Sequence, residues 1–327
     1  VDFMRPLMRT LYSDGYLFLI SRLVPVWTLL YKLSDTPALS LINVHLRRFV
    51  DRVAGGRFIR YLLAEKPKVV IATQFLASEL VTIAKIKRGL KTRLVTVVTD
   101  FGVHNFWVNP ATDLYCVAAE STRRSLIGKG VPQEVVRVTG IPFDDKFRQP
   151  FERNEALRSW GFDPSRFTAL VATGGVGIGP IEEVVRQLKE EVQLLVVCGT
   201  NKKLYAKLKQ ENHPNIRVFE FVDFMHRLMS AADVIVTKAG GLTVTESLVK
   251  NLCCIFFYII PGQEKLNART ITRHGAGFFE HSARRVAWRV RHLKANPDLL
   301  RTCQQEARKL ARPAACQDIL DTALSAL

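Results

Sequence analysis

Short apolar runs alternate with amphipathic segments along most of the chain between residues 69 and 273. Runs such as 69–73 and 94–99 carry apolar side chains at nearly every position. Strands of a parallel sheet have this pattern because helices cover both faces of the sheet. The segments between the runs place apolar residues three and four positions apart, which is typical of helices. The alternation therefore predicts an α/β fold with doubly wound parallel sheets.

The pattern occurs twice, and a chain of 327 residues is long enough for two domains. A mostly charged stretch at 140–165, with Pro150 and Pro164, is typical of a linker. We predict an N-terminal domain at 1–145 and a C-terminal domain at 146–327, which ends in helices over 283–327. The predicted strands are 69–73, 94–99, 114–118 and 136–139 in the first domain, and 169–173, 193–198, 216–219, 234–237 and 254–258 in the second.

Residues 1–40 mix apolar, aromatic and basic side chains. This mixture suits a pair of helices lying in a membrane interface, and equally a pair of ordinary core helices. A further helix is predicted at 43–64, with a break or kink at Gly55 and Gly56. The run at 16–33 is interrupted by charged residues and a proline, so no segment predicts a membrane span.

The net charge of +17 implies an anionic partner, such as nucleic acid, an acidic membrane or a phosphorylated substrate. Lys and Arg are spread along the chain, and aromatic-basic repeats of the RNA-binding type are absent from the sequence. We therefore expect an anionic membrane surface and no nucleic acid. The six cysteines lack metal-site spacing, and several lie in apolar runs, which predicts buried free thiols in a reducing compartment.

Two glycine-rich turns follow predicted strands of the second domain. One is 174–179 (GGVGIG), and the other is 238–246 (KAGGLTVTE), where Glu246 lies in the helix after the turn. Such turns present backbone N–H groups and a helix N-terminus to an anion, and the carboxylate can hold sugar hydroxyls. Tight turns in an ordinary strand–turn–helix unit would look the same. Because strands of one parallel sheet bring such turns to one edge, the pair favours a nucleotide site.

Two further segments of the second domain carry candidate ligand contacts. The polar cluster of Pro261, Gln263, Glu264 and Asn267 opens a helix and suits sugar hydroxyls, or it is a capped helix start. The segment 221–225 (FVDFM) follows a strand and could pack a planar base, although without further context a helix cap at Asp223 with core residues around it is the better explanation.

The segment 99–107 of the first domain gathers polar and aromatic residues behind a strand. Asp100 and His104 are candidates for acid–base chemistry, while a lone histidine is more often structural. Phe106 and Trp107 suit a loop that faces lipid or an acceptor.

These segments, in this order, resemble the family of monogalactosyldiacylglycerol synthases and processive diacylglycerol glucosyltransferases. That family is related to the N-acetylglucosaminyltransferase of peptidoglycan lipid-intermediate synthesis. The matching pieces are 65–71 (EKPKVVI), 98–104 (VTDFGVH) with Trp107, 138–142 (VTGIP), 196–199 (VVCG), 237–243 (TKAGGLT) with Glu246, and 261–264 (PGQE) with Asn267. The likeness extends over most of the chain.

The resemblance implies a GT-B fold, that is, two Rossmann-like domains with a cleft between them. It also implies transfer of galactose or glucose from a UDP-sugar to diacylglycerol, with inversion and without a cofactor or metal, at the cytoplasmic face of a membrane. Galactose and glucose are not distinguished by these residues. The resemblance also implies the residues that bind each part of the UDP-sugar. The uracil would contact Phe221, Val222 and Met225, the ribose would contact Glu246, and the sugar would contact Gln263, Glu264 and Asn267. The diphosphate site would comprise Gly174, Gly175, Val176, Gly177, Lys238, Gly240, Gly241, Leu242 and Thr243.

The chain departs from the family at three places. Ala239 replaces a usual proline and Lys68 a frequent acid, and both changes are minor. The family begins with a strand and a Gly-rich turn that ends in a histidine, the expected general base, and nothing similar precedes Val1. The resemblance therefore implies that the first sheet lacks a central strand and that this sequence is inactive or weakly active. A non-catalytic nucleotide-sugar or lipid-binding protein, and a transferase or epimerase acting on a different acceptor or UDP-sugar, stay open as alternatives.

Overall fold

The computed structural model describes residues 55–259 and 262–325, together with Leu23, Pro25, Val26, Thr28 and Leu29. Apart from these five residues, the helix pair predicted within 1–40 lies outside the described residues, as does the part of the predicted helix 43–64 before residue 55. Contacts divide the described chain into two compact units, the first containing 55–142 and 314–325 and the second 143–259 and 264–313. The first unit thus includes the last helix, which the sequence assigns to the second domain.

The first unit contains a parallel sheet of four described strands in the order β1-β2-β3-β4. Helix α1 begins at Gly56, after the predicted break, and the last helix packs on this sheet through Ile319 and Ala323. The strands are β1 (Val69–Ala72), β2 (Arg93–Val97), β3 (Leu114–Val117) and β4 (Val136–Val138), and the helices are α1 (Gly56–Glu65), α2 (Phe75–Arg88) and α3 (Glu120–Ile127).

The second unit contains a six-stranded parallel sheet in the order β10-β9-β8-β5-β6-β7. The strand order reverses beside β5, and ligands bind α/β sheets at such a reversal, outside the carboxyl ends of the strands. The strands are β5 (Thr168–Ala172), β6 (Gln193–Val197), β7 (Ile216–Phe219), β8 (Val234–Thr237), β9 (Cys253–Phe256) and β10 (Gly277–Phe279). The first helices are α4 (Arg153–Ser159), α5 (Ile181–Leu188), α6 (Lys202–Gln210) and α7 (Met225–Ala231). The remaining helices are α8 (Gly241–Val249), α9 (Gln263–Arg273), α10 (Ala283–Ala295), α11 (Pro297–Leu310) and, in the first unit, α12 (Ala315–Leu324).

The core of each unit lies between its sheet and its helices. All positions of β3, β5, β6, β8 and β9 are buried, which explains why these strands read as continuous apolar runs in the sequence. Within the part of the chain that the structure describes, no helix is both long and apolar enough to span a bilayer.

The stretch predicted as a linker is folded onto the second unit. Helix α4 buries Ala156 and Leu157 and packs against α7, and Arg153 pairs with Asp233 at 3.0 Å. A helix of seven residues with two buried side chains is too short to show a clear helical period. The charged residues of this stretch therefore led to the prediction of a linker.

The cysteine prediction was wrong for one pair and also for Cys316 on α12, which is exposed rather than buried. Cys253 at the start of β9 and Cys303 on α11 form a disulfide, with Cα atoms 5.5 Å apart and a sequence separation of 50. Their pairing follows from the packing of α11 beneath β9, which local sequence does not show. Cys116, Cys198 and Cys254 are buried thiols, as predicted, and burial raises the pKa of the Cys198 thiol to about 11.

Candidate functional site

The glycine turn after β5 interlocks with the turn after β6. Gly177 has a φ of 60°, and a Cβ added to it would lie 2.0 Å from the Cys198 carbonyl oxygen. A Cβ on Gly199, which has a φ of 58°, would lie 2.3 Å from the Gly175 oxygen. The Asn201 amide donates to the Gly177 oxygen at 3.1 Å and joins the two turns. Only glycine fits both contacts, so the turn holds one rigid shape.

The second glycine turn, after β8, leads directly into α8. Gly240 is its N-cap with a φ of −68°, and no described side chain caps the helix. The first N–H groups of a helix have no partner within it. Here they belong to Gly241, Leu242 and Thr243, and they make a site for an anion. Since β5 and β8 are hydrogen-bonded neighbours, the two glycine turns lie side by side.

Lys238 lies between the two turns. The carbon next to its ammonium is 3.6 Å from the position that a Cβ on Gly174 would occupy. Its Nζ is 3.2 Å from Oε1 of Glu264 in the first turn of α9. Both side chains are mostly buried, at 19% and 16% exposure. A cation therefore lies beside the glycine turn and next to a carboxylate predicted to contact the sugar.

Glu246 is half-buried on α8, and its carboxylate has no hydrogen-bond partner among the described residues. Its pKa is raised to about 7, mainly by burial and further by the negative charge of Asp144. A carboxyl group in such surroundings favours a ligand that donates hydrogen bonds to it, because those bonds stabilise the charged form.

Asn267 is fully buried, and its side-chain amide donates to the Ala239 oxygen at 2.9 Å. The sequence places Asn267 at the sugar, but this bond instead ties α9 to the loop that carries Lys238. Gln263 and Glu264 occupy the first turn of α9 and are half-buried. Pro261 lies outside the described residues.

The loop after β7 brings an aromatic ring to the first glycine turn. Phe221 is 69% exposed, and its ring edge lies 3.9 Å from the position of a Cβ on Gly175. Val222 and Met225 beside it are half-buried. Val176 and Leu242, from the two glycine turns, also expose apolar side chains. The predicted uracil and diphosphate residues are thus gathered at one edge of the sheet.

The first-unit residues predicted for acid–base chemistry and for lipid contact are buried or half-buried. His104 is 1% exposed, and its Nδ1 accepts from the Phe106 N–H at 3.1 Å, so it caps the 3₁₀ turn Asn105–Trp107. Trp107 is 2% exposed and packs in the core with Tyr115, which disagrees with the predicted lipid contact. Phe106 and Asp100 are half-buried.

The sequence did not point to two residues of the second-unit site. Asn201 joins the two turns and also caps α6. Tyr258, after β9, has a φ of 54°, is 42% exposed, and its ring covers Gly179. A positive φ is uncommon for a residue with a bulky side chain, and such backbone often occurs at functional sites. The position of Asn201 directly before a helix could have identified it as a helix cap. No local sequence pattern points to Tyr258.

Metal ligands are not gathered in the described chain, where no group of three or more His, Cys, Asp or Glu side chains could hold an ion. Two buried hydroxyls, of Thr173 and Thr237, lack hydrogen-bond partners at the ends of β5 and β8. Both lie at the same edge as the glycine turns.

Comparison with known proteins assigns the two halves of the chain. Residues 1–143 match the family model of monogalactosyldiacylglycerol (MGDG) synthase, and residues 176–312 match that of the glycosyltransferase family 28 C-terminal domain. The processive diacylglycerol beta-glucosyltransferase of Staphylococcus aureus is 28% identical over 277 residues, 81% of this chain and 70% of that protein. The resemblance expected from the motifs, to the family of monogalactosyldiacylglycerol synthases and processive diacylglycerol glucosyltransferases, is thereby confirmed.

Solved glycosyltransferase structures superpose on this chain. MurG of Acinetobacter baumannii superposes with a TM-score of 0.59 at 20% identity, covering 85% of this chain and 80% of MurG. HepE of Anabaena in complex with UDP-glucose gives a TM-score of 0.54 at 14% identity, covering 90% and 85%. The predicted fold class, an α/β GT-B fold with two parallel-sheet domains, is confirmed.

Proposed function

We propose that the protein transfers a hexose, galactose or glucose, from a UDP-sugar to diacylglycerol. The observation that carries the proposal is the pair of glycine turns on neighbouring strands, with Lys238 between them and the uncapped start of α8 beside them. Together they offer backbone N–H groups, a helix N-terminus and an ammonium group to a diphosphate.

This arrangement suits the leaving group of an inverting transfer. The acceptor hydroxyl oxygen attacks the anomeric carbon as the bond to the diphosphate breaks, and negative charge develops on UDP. Lys238 and the N–H groups of α8 stabilise that charge because they are fixed before the reaction begins. The hydroxyl proton passes to a general base, for which Asp100 and His104 stay the predicted candidates.

The rest of the donor has a place at the same edge. The Phe221 ring, with Val222 and Met225, suits the uracil, and the Glu246 carboxylate suits the two ribose hydroxyls. Gln263 and Glu264 suit the hydroxyls of the hexose. No metal or cofactor is needed in this proposal, since the diphosphate charge is met by Lys238 and backbone N–H groups.

The acceptor assignment rests on the relatives. The S. aureus protein is named for glucosyl transfer to diacylglycerol, and HepE was solved with UDP-glucose. Diacylglycerol resides in membranes, so we place the protein peripherally at the cytoplasmic face of a membrane, where its net charge of +17 favours anionic lipid.

Lipid analysis tests the proposal. The native gene is expressed, and the protein is incubated with diacylglycerol and with UDP-glucose or UDP-galactose in separate reactions. We expect a glycosyl-diacylglycerol and an equal amount of released UDP from one of the two donors. Glu246→Ala is expected to reduce both products together. UDP-sugar binding without any transfer would instead support a non-catalytic binding protein, and transfer only to another acceptor would overturn the diacylglycerol assignment.

A further inference from the structure

Helix α10 exposes a tryptophan on the face turned away from the core. The opposite face of the helix is buried in the core of the second unit through Ala283, Val286, Val290 and Leu293. Trp288 lies on the other face and is 41% exposed. A single exposed apolar side chain is ordinary in soluble proteins, so Trp288 alone carries no conclusion.

Three planar polar groups surround the indole. The guanidinium carbons of Arg285 and Arg289 lie 4.4 and 4.7 Å from the ring centroid. The His292 ring stacks on it at 5.0 Å, with an interplanar angle of 7°. We call Arg284, Arg285, Trp288, Arg289 and His292 the Trp288 surface.

A buried carboxylate fixes this surface. Glu280, only 4% exposed, accepts from Arg285 at 3.2 Å and from Arg289 at 2.8 Å. Two guanidinium groups are thus held beside the indole by a single negative charge. Arg284 is exposed next to them and forms no ion pair with any described residue. The surface keeps an excess of positive charge around one apolar ring.

We propose that the Trp288 surface binds anionic phospholipid headgroups, so that the second unit also contacts the membrane. Arginine forms paired hydrogen bonds with phosphate oxygens, and tryptophan has an apolar body and an N–H that suit the membrane interface. Nucleic acid fits less well, because Arg285, Arg289 and His292 already lie against the ring and a stacked base would have to displace one of them. This proposal rests on the proposed function in one respect, namely that transfer to diacylglycerol brings the protein to a membrane.

Vesicle flotation tests the proposal with the full chain. Vesicles of phosphatidylcholine alone are compared with vesicles containing an equal part of phosphatidylglycerol. We expect binding to the anionic vesicles, weakened about fivefold by Arg284→Gln and on the order of tenfold by Trp288→Ala. Arg158→Gln is the matched control, because Arg158 is exposed on α4, which packs against α7 rather than alongside α10. It is expected to bind as the wild type does.

Two measurements make the result decisive. Binding of UDP by Trp288→Ala, equal to that of the wild type, shows that the variant is folded. Equal vesicle binding by Trp288→Ala, Arg284→Gln and Arg158→Gln would overturn the proposal, as would equal binding of the wild type to neutral vesicles. Trp288-dependent binding of an oligonucleotide in place of vesicles would also overturn it. Sugar transfer is measured separately, so loss of the Trp288 effect is distinguishable from failure of the transferase assignment.

Discussion

The Nζ of Lys238 lies 3.2 Å from Oε1 of Glu264, and this ion pair connects two parts of the proposed donor site. Lys238 is positioned beside the glycine turn at Gly174, while Glu264 opens helix α9. A donor bound at this edge would meet the lysine with its diphosphate and the glutamate with its sugar. In the proposed site the pair would therefore link stabilisation of the leaving group to recognition of the hexose.

Substitution of the pair separates these two roles. Lys238→Ala is expected to weaken both UDP and UDP-glucose binding by about tenfold to a hundredfold, because a charged hydrogen bond is worth about 1.5–3 kcal/mol. Glu264→Ala is expected to weaken UDP-glucose but not UDP, since it also releases Lys238 for the diphosphate. Titration calorimetry with both ligands measures the difference. Lys265→Ala, an exposed neighbour on the same helix turn, is the matched control.

Donor binding is expected to depend on pH through Glu246. Its pKa is about 7 in the ligand-free protein because of burial and Asp144. Ribose hydroxyls that donate to the carboxylate stabilise its charged form, so the pKa falls in the complex. UDP-glucose affinity should therefore be highest above pH 7 and should fall by up to about tenfold per pH unit below it. Glu246→Gln is expected to have a flat profile, and an unchanged slope in that variant would rule out Glu246 as its source.

The same carboxyl group makes a prediction for stability without ligand. The pKa of Glu246 is raised on folding from a reference value of 4.5 to about 7. Its neutral form therefore favours the folded state at low pH, and this contribution is lost as the pH rises through about 7. Glu246→Gln should match the wild type near pH 4.5. It should be more stable at about pH 8 by about 2 kcal/mol, allowing for partial exposure. Urea denaturation at both pH values measures this, and an equal effect at both would contradict the burial of Glu246.

Two glycines distinguish the structural from the ligand-binding role of the turns. Gly177→Ala places a Cβ against the Cys198 oxygen at a positive φ, so we expect a loss of about 2 kcal/mol or more in unfolding free energy. Gly240→Ala meets no atom within 4 Å and has a permitted φ, so its stability should change by less than about 1 kcal/mol. Its Cβ would stand where the diphosphate is expected, and UDP-glucose affinity should fall. Thermal unfolding measures the stability of both variants, and calorimetry measures their UDP-glucose affinity. An unchanged UDP-glucose affinity of Gly240→Ala would contradict the assignment of the diphosphate to the start of α8.

The sequence predicts the sheets better than the site. Strands such as β5 and β8 are entirely buried, so an unbroken apolar run identifies them without knowledge of their neighbours. The pairing of Lys238 with Glu264 depends on how β8 and α9 pack, 26 positions apart in sequence, and no local pattern records it. The burial of Trp107 was missed for the same reason, since an aromatic residue in a loop looks exposed until the core that covers it is known.

A structure of the protein with UDP-glucose is the direct test of the proposed donor site. We expect the diphosphate within hydrogen-bond distance of the Gly241–Thr243 N–H groups and of Lys238 Nζ, with the ribose at Glu246 and the uracil beside Phe221. A complex in which the diphosphate lies away from both glycine turns, or in which Glu246 makes no contact with the ribose, would contradict it.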